Sequence, residues 1–507
     1  MEDKGLENYK ESFKRFLEIQ EEMKNIGDAQ GVLYWDMATI MPSKGVERRS
    51  EVVGYLSQLM YKLETGKEYQ DLVFGLYEHL DEMDDKEKAM VKSAKKSLDF
   101  MKKIPEEEYL EYSKLVASGE TYWAEAREKN DYESFKPILE KIVYFNKKIA
   151  GYIGYEKTPY DALLDMYEPG ATVEEIDGVF KELRDGLLVL LKKIGESAVE
   201  IDSSILKGEY AIEPQKNYNT ELAKRLGYDF ERGAIAESAH PFSTNFGNKD
   251  VRITTAYSKE DPVTAMYSTI HETGHAIYEQ NIPDDITKTN IGGGVSMGIH
   301  ESQSRYYENI LGRGKEFIET EYPNMVSAFE GLKNYSPEEI YRAINKVEPS
   351  LIRIDADELT YSLHIIIRYE IEKMLINGEV NFDELPQIWA DKYTEYLGVT
   401  PESYAKGVLQ DVHWSGGMIG YFPSYALGNL YGAQMLYKGM LRDLPNYYEL
   451  IREGKVSEIT KWLAEHVHSH GGTYEPKVLI EKITGEPLNA KYFLQYLEEK
   501  YSKIYGF

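Results

Sequence analysis

The sequence predicts a mainly helical protein that forms one large domain, and one observation supports each part of this prediction. In most windows the apolar residues recur at three- and four-residue spacing, and few windows show the strict alternation of a half-buried strand. No flexible linker, low-complexity tract or internal repeat divides the chain into independent pieces. We therefore predict one large domain over residues 1–507, with an N-terminal helical lobe at about 1–235, a core at about 236–430 and C-terminal helices at about 431–507.

The composition excludes several classes of protein. Acidic residues (87) outnumber basic residues (59), and the formal net charge of −28 disfavours binding to nucleic acids or anionic membranes. The chain has no cysteine, so disulfides, iron–sulfur clusters and cysteine nucleophiles are excluded, and any metal must be bound by His, Asp or Glu. The charged start and the lack of a long apolar run predict a cytoplasmic protein without a membrane span.

Residues 242–257 interrupt the helical pattern. Phe242, Thr244 and Phe246 alternate with their neighbours, a turn-like segment follows at 247–250, and alternation then resumes, which predicts a β-hairpin. Its edge strand could pair with an extended peptide, because main-chain hydrogen bonds bind peptides of any sequence. A hairpin that serves only packing is the alternative.

The next predicted helix carries a metal-binding motif. Asp261 is a suitable N-cap, Pro262 suits the first helical position, and His271-Glu272-Thr273-Gly274-His275 follows within the helical pattern. Residues four apart project side by side, so the two imidazoles can bind one ion while Glu272 reaches a water beside it. This is the zincin arrangement, and a histidine pair on the surface or in the core is the alternative.

Two histidines leave a tetrahedral zinc without a third protein ligand. After a glycine-rich loop, a second helical pattern opens at His300-Glu301 and closes near Gly312. If this helix returns antiparallel to the first, Glu301 faces the histidine pair and His300 points about 100° away. We predict Glu301 as the third ligand, with His300 as the weaker competitor.

The predicted ion favours amide hydrolysis. Zinc polarises a carbonyl group and lowers the pKa of bound water, and Glu272 can pass the released proton to the leaving amine. Groups that stabilise the oxyanion or hold the substrate are expected in the glycine-rich segment 407–425, whose candidates are Gln410, Asp411, His413, Trp414, Tyr421 and Tyr425. In a chain with 42 tyrosines, packing is the alternative for each tyrosine.

Two arginines in apolar surroundings require partners. Arg353 and Arg252 could each bind a substrate carboxylate, whereas internal ion pairs with Asp355, Asp357 or Asp250 are the alternative.

The remaining histidines suggest little chemistry. His466, His468 and His470 alternate and raise a second metal site, but caps or loop contacts are favoured because no carboxylate lies at ligand spacing. His79 and His364 lie in amphipathic patterns and are expected to be structural.

Taken together, these motifs resemble those of peptidase family M32, the thermostable carboxypeptidase Taq type. The blocks that carry the resemblance are His240-Pro241-Phe242, Asp250-Val251-Arg252-Ile253-Thr254, His271-Glu272-Thr273-Gly274-His275, His300-Glu301-Ser302-Gln303, Ile352-Arg353-Ile354-Asp355-Ala356-Asp357 and Gly407-Val408-Leu409-Gln410-Asp411-Val412-His413-Trp414. Similar segments outside them extend the resemblance over nearly the whole chain.

The resemblance implies a two-lobed helical zincin, similar to neurolysin and angiotensin-converting enzyme, with a deep groove, a small β-sheet and a homodimeric state. It implies Zn²⁺ or Co²⁺ as the metal and peptides as substrates. The implied roles are metal ligation by His271, His275 and Glu301, general base catalysis by Glu272, carboxylate binding by Arg353 and Arg252, and oxyanion or substrate contacts from His240, His413, Tyr421, Tyr425 and Gln410.

One position departs from many zincins. The acidic residue that usually follows the ligand glutamate by four positions is here Arg305, so another acceptor must hold the ligand histidine. We predict Asp355 or Asp357 for this role.

The sequence as a whole predicts a metallocarboxypeptidase that removes single residues from free C-termini with broad specificity. The alternatives are an oligopeptidase or dipeptidyl carboxypeptidase that uses the same site, and a non-catalytic peptide-binding protein with a structural zinc.

Overall fold

The computed structural model describes residues 2–507, with side-chain surroundings from Tyr9 onward, and it is mainly helical as predicted. Nine helices precede the sheet in the described chain: α1 (Glu2–Thr39), α2 (Val46–Glu64), α3 (Lys67–Tyr77), α4 (Asp85–Lys103), α5 (Glu106–Lys129), α6 (Tyr132–Ile153), α7 (Pro159–Leu164), α8 (Val173–Gly195) and α9 (Ile212–Leu226).

The predicted hairpin is confirmed, and it belongs to a three-stranded sheet. β2 (Ser243–Asn245) pairs antiparallel with β3 (Val251–Thr255), so that Thr244 lies opposite Arg252. β1 (Ile235–Glu237) pairs parallel with β3 from the other side, which makes β3 the central strand. The sequence did not predict β1, because its three residues are too short to show an alternation.

Twelve helices follow the sheet in the described chain: α10 (Pro262–Gln280), α11 (Met297–Arg305), α12 (Lys315–Ala328), α13 (Pro337–Ile344), α14 (Glu358–Asn377), α15 (Leu385–Leu397), α16 (Pro423–Met435), α17 (Leu441–Asp443), α18 (Tyr447–Arg452), α19 (Val456–His466), α20 (Pro476–Thr484) and α21 (Lys491–Tyr505). A π-helical segment, Tyr306–Gly312, continues α11, and another, Leu436–Met440, continues α16.

Glycines allow the three central helices to approach closely. A Cβ atom at Gly274 of α10 would lie 2.8 Å from the carbonyl oxygen of Gln303 in α11, and one at Gly428 of α16 would lie 2.6 Å from Cγ of Glu301. Larger residues would push these helices apart, so the glycines allow α11 to pack closely between α10 and α16.

The hydrophobic core is one continuous cluster that extends from Tyr9 to Tyr505. Within it, Lys500 of α21 forms a buried ion pair with Glu358 at the start of α14, with Nζ 2.6 Å from Oε2. None of the helices in residues 2–507 combines the length and the apolar character that crossing a bilayer would require.

Candidate active site

The first two candidate metal ligands lie one turn apart on α10. Asp261 caps this helix as predicted, since its Oδ1 accepts hydrogen bonds from the backbone N–H of Val263 (2.9 Å) and Thr264 (3.2 Å). The ring centroids of His271 and His275 are 4.9 Å apart. The four-residue spacing of the motif therefore places both imidazoles side by side on one face of α10.

Glu301 faces this pair from α11. Ser296 caps α11 through the N–H of Ile299, so the helix begins at Met297, slightly before the predicted start at His300. Oε2 of Glu301 lies 3.8 Å from Nε2 of His271 and 3.5 Å from Nε2 of His275.

The three donors suit a small divalent cation. Ligand atoms that are each about 2 Å from one zinc ion lie roughly 3.3 Å apart, close to the separations found here. Among the side chains that the structure describes, from Tyr9 onward, His271, His275 and Glu301 form the one cluster with suitable geometry. Burial lowers the pKa of His275 to about 3, which leaves this ring neutral and able to bind a cation.

Each ligand histidine is held by a different outer partner. Nδ1 of His271 lies 2.8 Å from Oε2 of Glu308, in the π-helical segment. The prediction that Asp355 or Asp357 holds this ring is wrong. Asp357 instead caps α14, because its Oδ1 accepts from the backbone N–H of Leu359 at 3.0 Å.

His275 is held by His300. The two Nδ1 atoms are 2.5 Å apart, and Nε2 of His300 lies 2.8 Å from Oε1 of Glu279. If Nε2 of His275 binds a metal, its Nδ1 carries the proton and donates to His300, which in turn donates from Nε2 to Glu279. His300 thus contacts His275 from outside the candidate cluster, and Glu301 is the third member of that cluster.

Arg305 binds the carboxylate of Glu301 from the other side. Its Nε donates to Oε1 of Glu301 at 2.7 Å, and its Nη1 lies 3.4 Å from Oε2 of Glu308. Burial opposes ionisation of Glu301, but Arg305 and His271 outweigh it and hold the pKa of this carboxyl well below its usual range. One oxygen of Glu301 is therefore engaged by Arg305, and the other faces the histidines.

Glu272 lies beside the ligands, where it can act as a base. Its side chain is buried, and burial raises its pKa to about 7. A carboxylate with a pKa near neutrality can both accept and release a proton.

Arg353 lies in the same groove as His271 and Glu272, a cavity of about 660 Å³. Its Nε donates to Oδ1 of Asp411 at 2.9 Å, and its Nη1 donates to Oη of Tyr361 at 3.1 Å. Its internal partner is therefore Asp411, not Asp355, Asp357 or Asp250. A guanidinium has five N–H donors, so these contacts leave donors for a substrate carboxylate.

Gln410 supports this arginine through the backbone. Its Oε1 accepts from the N–H of Arg353 at 3.1 Å, and its Nε2 donates to the carbonyl oxygens of Leu351 (3.0 Å) and Lys406 (3.1 Å). These hydrogen bonds are all to main-chain groups, so Gln410 supports the backbone of Arg353.

The candidate oxyanion donors cluster together. Nε2 of His413 is 3.0 Å from Oη of Tyr425, and the rings of Tyr421 and Tyr425 are 5.2 Å apart. Burial and the charge of Arg353 lower the pKa of His413 to about 3, so the ring is neutral. Neutral imidazole and phenol groups can donate hydrogen bonds to a developing negative charge.

Two predicted substrate contacts, Arg252 and His240, do not themselves line this groove, although Pro241 does. Arg252 forms an ion pair with Asp250 through two hydrogen bonds (2.8 and 2.6 Å), which is the internal pairing that the sequence analysis gave as the alternative. Its guanidinium packs against Trp35 and Phe246. His240 is exposed on the connection between β1 and β2.

The other histidines have structural contacts. His468 is fully buried, with Nε2 2.9 Å from Oε1 of Gln303, and Nδ1 of His466 is 2.9 Å from the carbonyl oxygen of Trp462. His364 contacts Tyr393, and His79 contacts Glu82. The expectation of packing and loop contacts is confirmed for these side chains.

Comparisons with known proteins give one family. The family model described as carboxypeptidase Taq (M32) metallopeptidase matches residues 15–501. Carboxypeptidase 1 of Bacillus subtilis is 45% identical over 493 residues, which cover 97% of this chain and 98% of that protein. Thermostable carboxypeptidase 1 of Pyrococcus furiosus is 38% identical over 493 residues, which again cover 97% of this chain and 98% of that protein.

Solved structures give the same result for the fold. The crystal structure of an M32 carboxypeptidase from Deinococcus radiodurans superposes with a TM-score of 0.94 at 35% identity and covers 98% of this chain and all of that one. The Pyrococcus furiosus carboxypeptidase also gives a TM-score of 0.94, at 38% identity, with 97% of this chain and 99% of that chain covered.

A helix that carries His-Glu-x-x-His, faced by a glutamate from a second helix, is an arrangement typical of metallopeptidases. The chain belongs to the carboxypeptidase Taq (M32) family of metallopeptidases, enzymes that hydrolyse peptide bonds.

Proposed function

We propose that the protein is a zinc-dependent carboxypeptidase that hydrolyses the C-terminal peptide bond of peptides with a free carboxylate and tolerates many side chains. The observation that carries this proposal is that Arg353 lines the same groove as His271 and Glu272. A planar guanidinium recognises a carboxylate through paired hydrogen bonds, so a substrate held there by its C-terminus presents its last peptide bond to the reacting groups.

His271, His275 and Glu301 would hold the metal. The donor set of two imidazoles and one carboxylate suits Zn²⁺ and also admits Co²⁺. When bound, such an ion polarises the scissile carbonyl and makes water more acidic.

Glu272 moves the protons of the reaction. Its carboxylate takes a proton from the attacking water and delivers it to the nitrogen of the leaving amino acid. Its buried position keeps bulk water from competing for this proton.

His413 and Tyr421 stabilise the oxyanion, and Tyr425 orients His413. The close contact between His413 and Tyr425 supports this division of roles. Gln410 acts through the backbone of Arg353, while Arg252 and His240 serve more distant parts of a longer peptide.

We further infer that the protein acts in the cytoplasm as a homodimer. The resemblance to the family supports the dimer, and light scattering behind a sizing column tests it: a mass of about one chain, 58.4 kDa, contradicts it.

The proposed reaction is tested by mass spectrometry on a peptide set in which each sequence is present both as the free acid and as the C-terminal amide. We expect single-residue ladders from the free acids only. Internal cuts in both forms would show an oligopeptidase, release of dipeptides would show a dipeptidyl carboxypeptidase, and the absence of cleavage with metal bound would show a binding protein.

The matched catalytic variant is Glu272→Gln, which keeps the size of the side chain and removes its basicity. We expect kcat to fall by about 10²- to 10⁴-fold while the metal content measured by mass spectrometry stays normal. Normal metal content with unchanged hydrolysis refutes the role of Glu272.

A further inference from the structure

Tyr361 lies between the candidate metal centre and Arg353, the candidate anchor for a substrate carboxylate. Cζ of Arg305 is 4.2 Å from the centroid of its ring, and its hydroxyl oxygen accepts a hydrogen bond from Nη1 of Arg353 at 3.1 Å. The residue is only 5% exposed and lines the groove. One side chain thus contacts both arginines.

Each of these arginines in turn donates a hydrogen bond to a carboxylate. Arg305 donates to Oε1 of Glu301 at 2.7 Å, and Arg353 donates to Oδ1 of Asp411 at 2.9 Å. A continuous chain of contacts therefore leads from Glu301 through Arg305, Tyr361 and Arg353 to Asp411. No other residue in the described chain contacts Arg305 by its ring and Arg353 by its hydroxyl.

Tyr361 lies on a capped helix that is tied to Asp411. Tyr361 lies in the first turn of α14, which Asp357 caps by accepting from the N–H of Thr360 at 2.9 Å. Two turns later, Arg368 of the same helix donates from Nε to Oδ2 of Asp411 at 2.6 Å. The helix consequently holds the anchor at two points, through Tyr361 and through Asp411.

We propose that Tyr361 is a positioning residue that fixes the separation between the metal centre and Arg353, and thereby sets the enzyme to release one residue at a time. This inference rests on the proposed function, because it requires Arg353 to receive the C-terminal carboxylate. With its ring packed against Arg305 and its hydroxyl on Arg353, Tyr361 acts as a spacer of fixed length. In this proposal, that length leaves room for one amino acid between Arg353 and the reacting bond.

Removal of the hydroxyl alone tests the spacer. In Tyr361→Phe the ring still packs on Arg305, but Arg353 loses its partner at Nη1. We expect KM for free-acid peptides to rise about tenfold, as for the loss of one hydrogen bond to a charged group. We also expect metal affinity to stay unchanged and dipeptides to appear beside single residues in the mass-spectrometric time course.

Tyr369→Phe is the matched control on the same helix. Tyr369 is also buried and donates its hydroxyl proton to Oδ1 of Asp177 at 2.8 Å, outside the groove. We expect this variant to keep the wild-type KM and the single-residue ladder, because the loss of a buried hydroxyl by itself does not move the anchor.

A second variant, Tyr361→Leu, removes the ring as well. We expect it to release dipeptides and to lose about tenfold in metal affinity in competition with a chelator, since Arg305 is no longer supported. A wild-type KM and product pattern in Tyr361→Phe, or a wild-type metal affinity and product pattern in Tyr361→Leu, overturns the inference. A wild-type enzyme that cleaves amides as well as free acids refutes the proposed function itself.

Discussion

Replacement of Glu308 by Gln should weaken zinc binding without changing any of the three candidate ligands. Oε2 of Glu308 lies 2.8 Å from Nδ1 of His271, and Oε1 lies 3.3 Å from Nη2 of Arg313. An amide oxygen can still accept the proton of Nδ1, but it lacks the charge that makes the imidazole a stronger ligand. Loss of such an outer partner costs 10- to 100-fold in metal affinity, and because a hydrogen bond persists we expect about tenfold, or about 1.4 kcal/mol.

The assay is a competition titration of zinc between the metal-free protein and a chromogenic chelator at pH 7.5, with far-UV circular dichroism to confirm the fold. Asp355→Asn is the matched control, because Asp355 lies in the same groove but does not hold His271. We expect its zinc affinity to equal that of the wild type. Equal affinities for Glu308→Gln and the wild type, or a loss confined to Asp355→Asn, would refute the assignment of Glu308.

Two further predictions concern packing and pH. In Gly428→Ala the new methyl group lies 2.6 Å from Cγ of Glu301, so we expect the zinc affinity measured by chelator competition to fall about tenfold. Gly432→Ala is the control, because its methyl group meets nothing closer than 3.5 Å and should leave the zinc affinity unchanged. Equal zinc affinities for the two variants contradict this prediction. Burial, with His300 facing it, lowers the pKa of His468 to about 3, so the unfolded chain takes up a proton below about pH 6.5 that the folded protein does not. The free energy of unfolding therefore decreases as the pH falls. Between pH 7.5 and 5.5, urea titrations should show that this decrease is about 1.4 kcal/mol smaller for His468→Asn than for the wild type. Equal decreases for the two proteins contradict this prediction.

The sequence was sufficient to predict that His271, His275 and Glu301 come together, because their geometry is local. His271 and His275 are one helical turn apart, and Glu301 follows after a single loop that returns the chain. The glycine at position 274 also lies within the motif, where it permits the close approach of α11. Periodicity likewise predicted α14 and its end at Gly378, which adopts a left-handed conformation with φ of +76°.

The partners of these residues could not be predicted in the same way. Glu308 holds His271 from a π-helical turn, and no spacing rule anticipates where such a turn directs a side chain. Tyr361 is one of 42 tyrosines, and only the packing of α14 against the groove distinguishes it. The Arg353–Asp411 pair joins residues 58 positions apart, so it depends on tertiary structure that the sequence pattern does not encode.

The ion pair between Lys500 and Glu358 makes the start of α14 depend on a helix that is synthesised much later. Glu358 opens the helix that carries Tyr361, and its partner Lys500 lies in α21, more than 130 residues further on. Until α21 has been synthesised and has docked, Glu358 lacks its cation, and the start of α14 lacks a contact that its Asp357 cap does not replace. The wall of the groove that α14 forms is therefore complete only after α21 has packed against it.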